Sequence, residues 1–278
     1  MPDNTTGNAP DPSSSMHADP YDQTRYRCRL EWGRDGARRA AARRDILVIV
    51  DVLSFSTAVA TALEHGVAIH PCAHGEDGAL LAGRVGAELA VHRRDVPAAG
   101  RFSLSPISFL GAEPGTRVVL PSPNGATCSR HAPEVPHLLV GALVNASAVA
   151  RALRGLLDES DHPVTVVACG ERWSDPGEDG ELRFAIEDYL GAGAVISRLD
   201  CSKSPEALLC EHGFLPMRDR LEPALLECGS GWELIGKGYR DDVIHASKLD
   251  MYTVVPAMHD GALLPMSIER DGMGSVSD

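Results

Sequence analysis

ILVIVDVLSFSTAVATALEHG, residues Ile46 to Gly66, is the stretch on which the fold turns. Ile46 to Val52 is a β-branched run with one polar member, Asp51, and reads as a central strand of a parallel sheet, covered on both faces. Ser54, Ser56 and Thr57 then open an Ala-rich helix. Aromatic residues make up 5% of the chain, so the core must be built from Ala, Val, Leu and Ile. That composition suits small-residue helices packed on a Val-rich sheet.

The pattern repeats outward from this unit. Ala68 to Cys72, Arg117 to Leu120, Leu138 to Ala142 and Val164 to Ala168 read as further strands, and Arg25 to Trp32 as a half-buried edge strand. A helix starts at Asn145, with Val149, Leu153, Leu156 and Leu157 on one stripe. Another is expected over Leu182 to Leu199, with Leu182, Ile186, Leu190 and Ile196 as its stripe. Alternation of this kind predicts an α/β fold, a mostly parallel sheet between helical layers. Residues 1–22 are rich in Pro, Asp, Ser and Thr and are expected to be a disordered tail; 23–264 form one α/β domain, largely helical from Lys203; 265–278 form a loose C-terminal tail.

The net charge is −13 and no Lys/Arg cluster suits a nucleic-acid or membrane surface, so neither partner is expected. The basic cluster Arg38, Arg39, Arg43 and Arg44 reads as the solvated face of a short helix. Seven cysteines follow no framework spacing, and no signal peptide is evident. A cytoplasmic protein with reduced thiols is expected, with a homo-oligomer left open.

In open parallel sheets ligands bind beyond the carboxyl ends of the strands. Asp51 stands there, costly to bury unless it is paired or binds a cation, and the helix behind it offers N–H groups to an anion. The alternative is that Asp51 and the serines are helix caps. Pro121-Ser122-Pro123-Asn124-Gly125 reads as a tight turn whose N–H groups could face an anion, or as an ordinary turn. Glu171 and Arg172 follow the Val164 strand. Glu187 and Asp188 border an apolar stripe and are hard oxygen donors suited to Mg²⁺, or else a solvated pair favoured by a helix dipole. Gly231 to Lys237 fits the first seven positions of a P-loop, but the preceding segment is helical and Gly238 stands where Ser or Thr is needed. His70, Cys72 and His74 lack a second pair to complete a zinc site.

Together these blocks resemble the 2-phosphosulfolactate phosphatases of coenzyme M biosynthesis. The segment from Val48 to Gly66, RFSLSPISF at Arg101, LPSPNGATCS at Leu120, GALVNASAVARAL at Gly141, LRFAIEDYLGAGAVI at Leu182 and the C-terminal SGWELIGKGYRDDVIHASKLDMYTVVP follow the family order. The resemblance implies a three-layer α/β/α sandwich and Mg²⁺-dependent hydrolysis of a small-molecule phosphate ester, (2R)-phospho-3-sulfolactate. It marks Asp51, Asn124, Gly125, Asn145, Glu187 and Asp188 as retained polar positions. On this reading Asp51, Glu187 and Asp188 hold the metal, directly or through water, or the catalytic Asp51 is instead a covalent nucleophile. Ser54, Ser56, Thr57, Asn124, Gly125 and Asn145 meet the substrate, and Arg172 neutralises its second anionic group. Two departures stand out. Ser54 occupies a position where the family often has Arg, and Val91-His92-Arg93 stands for Gly-Glu-Arg. Arg93, Arg172 and Arg183 are the candidate replacements for the missing cation. The rival readings are a non-catalytic anion-binding protein on this fold and a phosphatase for another organic phosphate.

Overall fold

The computed structural model describes residues 19–173 and 180–266. A nine-stranded sheet forms its centre. Its first block contains β1 (Cys28–Trp32), β2 (Ile46–Val50), β6 (Leu138–Gly141) and β7 (Val164–Ala168), in the order β1-β7-β2-β6 and all parallel. The second block is β3 (Ala68–Cys72), β5 (Arg117–Pro121) and the short β4 (Glu88–Leu89), again parallel. A C-terminal hairpin, β10 (Pro256–His259) and β11 (Ala262–Pro265), lies between the blocks, antiparallel to β6 on one side and to β3 on the other. The blocks therefore run in opposite directions. A separate ribbon pairs β8 (Glu171–Arg172) with β9 (Leu182–Arg183).

β2 shows why the architecture has three layers. All five of its residues are buried. Ile46, Val48 and Val50 enter one hydrophobic cluster, with α5 (Ala146–Glu159), α6 (Ile186–Ile196), α7 (Pro205–Phe214) and α8 (Leu221–Glu227). Leu47 and Ile49 enter the other, with α1 (Gly33–Ala42), α2 (Phe55–Glu64) and α4 (Gly125–Arg130). Side chains alternate across a strand, so a strand apolar at every position needs a helical layer on each face. The remaining helices are α3 (Gly78–Val85), α9 (Gly229–Gly236) and α10 (Arg240–Ala246). Leu234 of α9 and Val243 and Ala246 of α10 join the first cluster, which keeps the C-terminal helices in the same domain.

The sheet is strongly curled. β2 and β5 are five strand spacings apart, about 24 Å if the sheet were flat. Yet the Gly125 N–H just beyond β5 donates to Asp51 just beyond β2, at 2.8 Å. The curl wraps around α2, which packs on β6, the hairpin and β3.

The chain from Lys203 is largely helical, as expected, and then adds the hairpin of β10 and β11, which the sequence did not suggest. Three expectations are corrected. The helix expected from Leu182 begins at Ile186: Leu182 pairs with Arg172 in the ribbon, and Leu182 and Ile186 stay exposed. Arg43 is not solvated; it donates to Asp22, Glu31 and Asp45 at 3.2, 3.4 and 3.0 Å. Pro20–Asp22, inside the expected N-terminal tail, form a 3₁₀ turn capped by Asp19, and Asp19 pairs with Arg39 at 3.0 Å. Residues 1–18 and 267–278 of the two expected tails lie outside the described residues. Among the described residues no helix is long and apolar enough to cross a membrane.

Candidate active site

Asp51 sits where β2 gives way to α2, with about 5% of its surface exposed. Its Oδ1 accepts the N–H groups of Ser54 (2.8 Å) and Phe55 (3.2 Å). Its Oδ2 accepts from the Gly125 N–H (2.8 Å), with the Ser122 hydroxyl at 3.5 Å. The acid thus caps α2 and clasps the β5 turn at once. The N–H groups that the sequence offered to a phosphate are taken by this carboxylate. Gly125 is required by close approach rather than by positive φ: a Cβ there would lie 2.3 Å from the Phe55 ring. Burial pushes the Asp51 carboxyl up, while the three amides and Arg93 pull it back.

Asp188 is equally buried and joins two loops. Its Oδ1 accepts the Val52 N–H (2.7 Å) and its Oδ2 the Gly170 N–H (2.9 Å). Gly170 adopts φ +65°, and a Cβ on it would meet Leu182 at 2.7 Å, so only glycine holds that amide in place. Glu187 is 2% exposed. The solvated-pair reading of Glu187-Asp188 is therefore excluded by burial. A fourth acid completes the cluster. Glu171 accepts from Asn124 Nδ2 at 3.0 Å, and burial, then Asp51 and Glu187, push its carboxyl up to about 7. Asp188 is pushed well above the usual carboxylate range by burial, then by Asp51 and Glu187. Glu171 carries no motif of its own; the one signal in the sequence was its place just past a strand end.

Two arginines border these acids. Arg93 donates to the Ser54 hydroxyl and to the Leu104 carbonyl (3.1 Å), pairs with Asp242 (3.0 Å) and lies over the Tyr239 ring. Ser105 donates to the other Asp242 oxygen at 2.5 Å. Arg93 is thus aimed at the position where the family often carries its own Arg. Arg183 draws Glu171 back electrostatically and donates to Ser230 at 3.2 Å. Arg172 lies elsewhere. It donates to the Gly180 carbonyl (2.8 Å) and lines a separate cavity with Trp32, Arg38 and His131.

Three expected substrate contacts are corrected. Ser56 accepts the Asp51 N–H (2.9 Å) and donates to the Ile49 carbonyl (3.1 Å), and Thr57 donates to the Val52 carbonyl (2.8 Å). Both side chains are fully buried, so they brace the loop rather than meet a ligand. Asn145 is also fully buried: its Oδ1 accepts the Ala142 N–H, and its Nδ2 donates to the Val140 and Val254 carbonyls. It latches the loop after β6 to the segment entering the hairpin. Nor does it cap α5, whose Ser147 N–H is held by Asp250 at 2.6 Å. Asn145→Ala is expected to destabilise the protein by about 2–4 kcal/mol, removing the partner of two buried backbone groups and one half-buried one, while turnover per folded molecule stays near wild type. Denaturant melts and phosphate-release rates on the same sample check this.

The chain matches the family model for 2-phosphosulpholactate phosphatase over residues 35–261. A probable 2-phosphosulfolactate phosphatase of Carboxydothermus hydrogenoformans is 32% identical, over 77% of this chain and 86% of its own. The 2-phosphosulfolactate phosphatase of Methanothermobacter thermautotrophicus is 31% identical, over 78% and 88% respectively. One from Parasynechococcus marenigrum, also named as probable, is 31% identical over 81% of this chain and 93% of its own. With a family model spanning both halves of the sheet and the Asp51–Gly125 clasp between them, this chain belongs to the 2-phosphosulfolactate phosphatase family.

Proposed function

We propose that this protein is a phosphoric monoester hydrolase that converts (2R)-phospho-3-sulfolactate to 3-sulfolactate and phosphate, with Mg²⁺ as its cofactor. Family membership supports the reaction class. The observation that carries the reading is the meeting of a buried acid cluster with Arg93, which reaches Ser54 and so returns a cation to a place the sequence had emptied. A substrate carrying both phosphate and sulfonate needs such cations.

The donor set suits Mg²⁺. Asp51, Glu187 and Asp188 are buried hard-oxygen donors with Glu171 half-buried beside them, and burial and neighbouring acids drive Glu171 and Asp188 up. Excess buried negative charge of this kind is relieved by a divalent cation. Among the described residues no three His, Cys, Asp or Glu side chains are grouped as a ready ligand shell. Mg²⁺ does not require one, since it keeps several waters and is commonly held by one or two carboxylates plus substrate phosphate. Asp51 and Glu187 would hold the ion, directly or through water, with Glu171 beside them. When bound, it supplies charge neutralisation at the phosphoryl oxygens.

The chain's own groups do the rest. Asp188 fixes the Val52 and Gly170 amides and so sets the distance between the loops of β2 and β7. Asp51 takes two amides on Oδ1 and, on Oδ2, the Gly125 amide with the Ser122 hydroxyl at 3.5 Å, so the acid is held in one orientation between the loops of β2 and β5. Arg93 neutralises one anionic end of the substrate, and Arg183 serves the other. Arg93→Ala is expected to raise KM by about 10-fold or more with a smaller effect on kcat, from loss of a charged contact. The deciding assay is phosphate release from phosphosulfolactate, phosphoglycolate and phospholactate, with Mg²⁺ and with EDTA. Release from the sulfonate ester in Mg²⁺ alone is expected. Release only from carboxylate esters would remove the substrate, and no release at all would favour an anion-binding protein.

A further inference from the structure

At the opposite edge of the sheet, β1 meets the connection between α6 and α7. The Cys28 N–H donates to the Ser202 carbonyl (2.9 Å) and the Ser204 N–H to the Cys28 carbonyl (2.9 Å), a parallel bridge centred on Lys203. Cys201 lies two residues before that bridge, and its side chain interacts with that of Cys28. Cys28 is fully buried, whereas Cys201 is half-buried and reachable from solvent. The proposed reaction uses neither residue.

We propose that Cys201 is a peroxide-reactive thiol and that Cys28 is its resolving partner, so that oxidation joins edge strand β1 covalently to the α6–α7 connection. In the first step the Cys201 thiolate attacks hydrogen peroxide, the O–O bond breaks, and Cys201 sulfenic acid and hydroxide form. In the second the Cys28 sulfur attacks the sulfenic sulfur; the S–S bond forms and the Cys28 proton leaves with the hydroxyl as water. The two sulfurs together lose two electrons, and the peroxide accepts them.

The surroundings favour the asymmetry that such a pair needs. Donation from the Cys28 thiol, a backbone amide, Lys203 and Arg27 lower Cys201 to about 7, so a large share is thiolate at neutral pH. Cys28 is raised by the same contact and by burial, and stays protonated until it is needed. Lys203 is itself paired with Glu211 at 2.7 Å, and Cys210 of α7 adds a third thiol nearby. The Cys210 thiol donates to the Tyr189 carbonyl at 3.2 Å, and burial holds it up at about 12, so it does not compete as nucleophile.

The test uses the full-length protein, treated with a small excess of hydrogen peroxide and digested without reduction. Mass spectrometry should find a Cys28–Cys201 cross-linked peptide lighter by two hydrogens. Cys28→Ser should arrest oxidation at Cys201 sulfenic acid, trapped by dimedone. Cys201→Ser should remove the fastest-reacting thiol while phosphatase activity stays at the wild-type level. Alkylation of Cys201 by iodoacetamide should accelerate severalfold as pH rises through about 7. A cross-link between any other pair, intact Cys28 and Cys201 after treatment, or a Cys201 no faster than the remaining thiols would each overturn the proposal.

Discussion

Asp51→Asn lowers kcat for phosphate release by about 10²- to 10³-fold or more, the expected loss when a fixed charge is removed from a water-poor site. The substitution has a second consequence that geometry makes unavoidable. Every donor facing this side chain is an N–H or O–H: Ser54, Phe55 and Gly125 amides and the Ser122 hydroxyl. Asn presents one oxygen and one NH₂, so one edge must set donor against donor. The protein should therefore lose about 1–3 kcal/mol of stability as well. Rates are to be read at a temperature where circular dichroism shows the variant folded. Wild-type turnover in the folded variant would remove Asp51 from the site. A kinetic loss with unchanged melting would instead mean that the clasp to Gly125 is not made.

The second large effect concerns the protein without metal. The Glu171 carboxyl sits at about 7 in the folded chain, against 4.5 ordinarily. A raised folded value means that ionisation penalises the folded state. Its contribution is intact below about pH 4.5 and is lost as pH climbs through 7, a difference of about 3 kcal/mol. In EDTA, unfolding free energy should fall between about pH 5 and pH 8, and Glu171→Gln should flatten that fall. Mg²⁺ should flatten it in the wild type too, because the cation takes up the repulsion from Asp51 and Glu187. Identical pH profiles for wild type and Glu171→Gln would dismiss this account of the cluster.

The parallel strands β2, β5 and β7 are legible as short runs rich in buried Val and Ile, and β3 by its place between a helix and a turn. Ala68–Cys72 and Val164–Ala168 are found where the pattern put them. Asp51 and the Glu187-Asp188 pair were legible as strand-end and helix-start acids. The hairpin was not, since PAMH and ALLP are short and show no alternation. Glu171 is not legible as a ligand because a single acid after a strand is ordinary; much of its environment comes from residues distant in the chain, Asp51 and Asn124 among them. Ser56, Thr57 and Asn145 show the converse. Their residue types suit a ligand, but local backbone groups reach them first. Arg93 illustrates both sides: the departure at Ser54 was visible in the sequence, while its repair from 39 residues away was visible only in space.

The hairpin also sets an order of events. Residues 256–265 supply the two strands that join the halves of the sheet, yet they come last of all its strands in the chain. Until they arrive, β6 and β3 are open edges facing solvent, the kind that pair with other chains. The Asp51–Gly125 clasp spans those same halves, so the candidate site and the last-made strands depend on the same closure of the sheet. Contacts between segments so far apart in the chain favour slow folding.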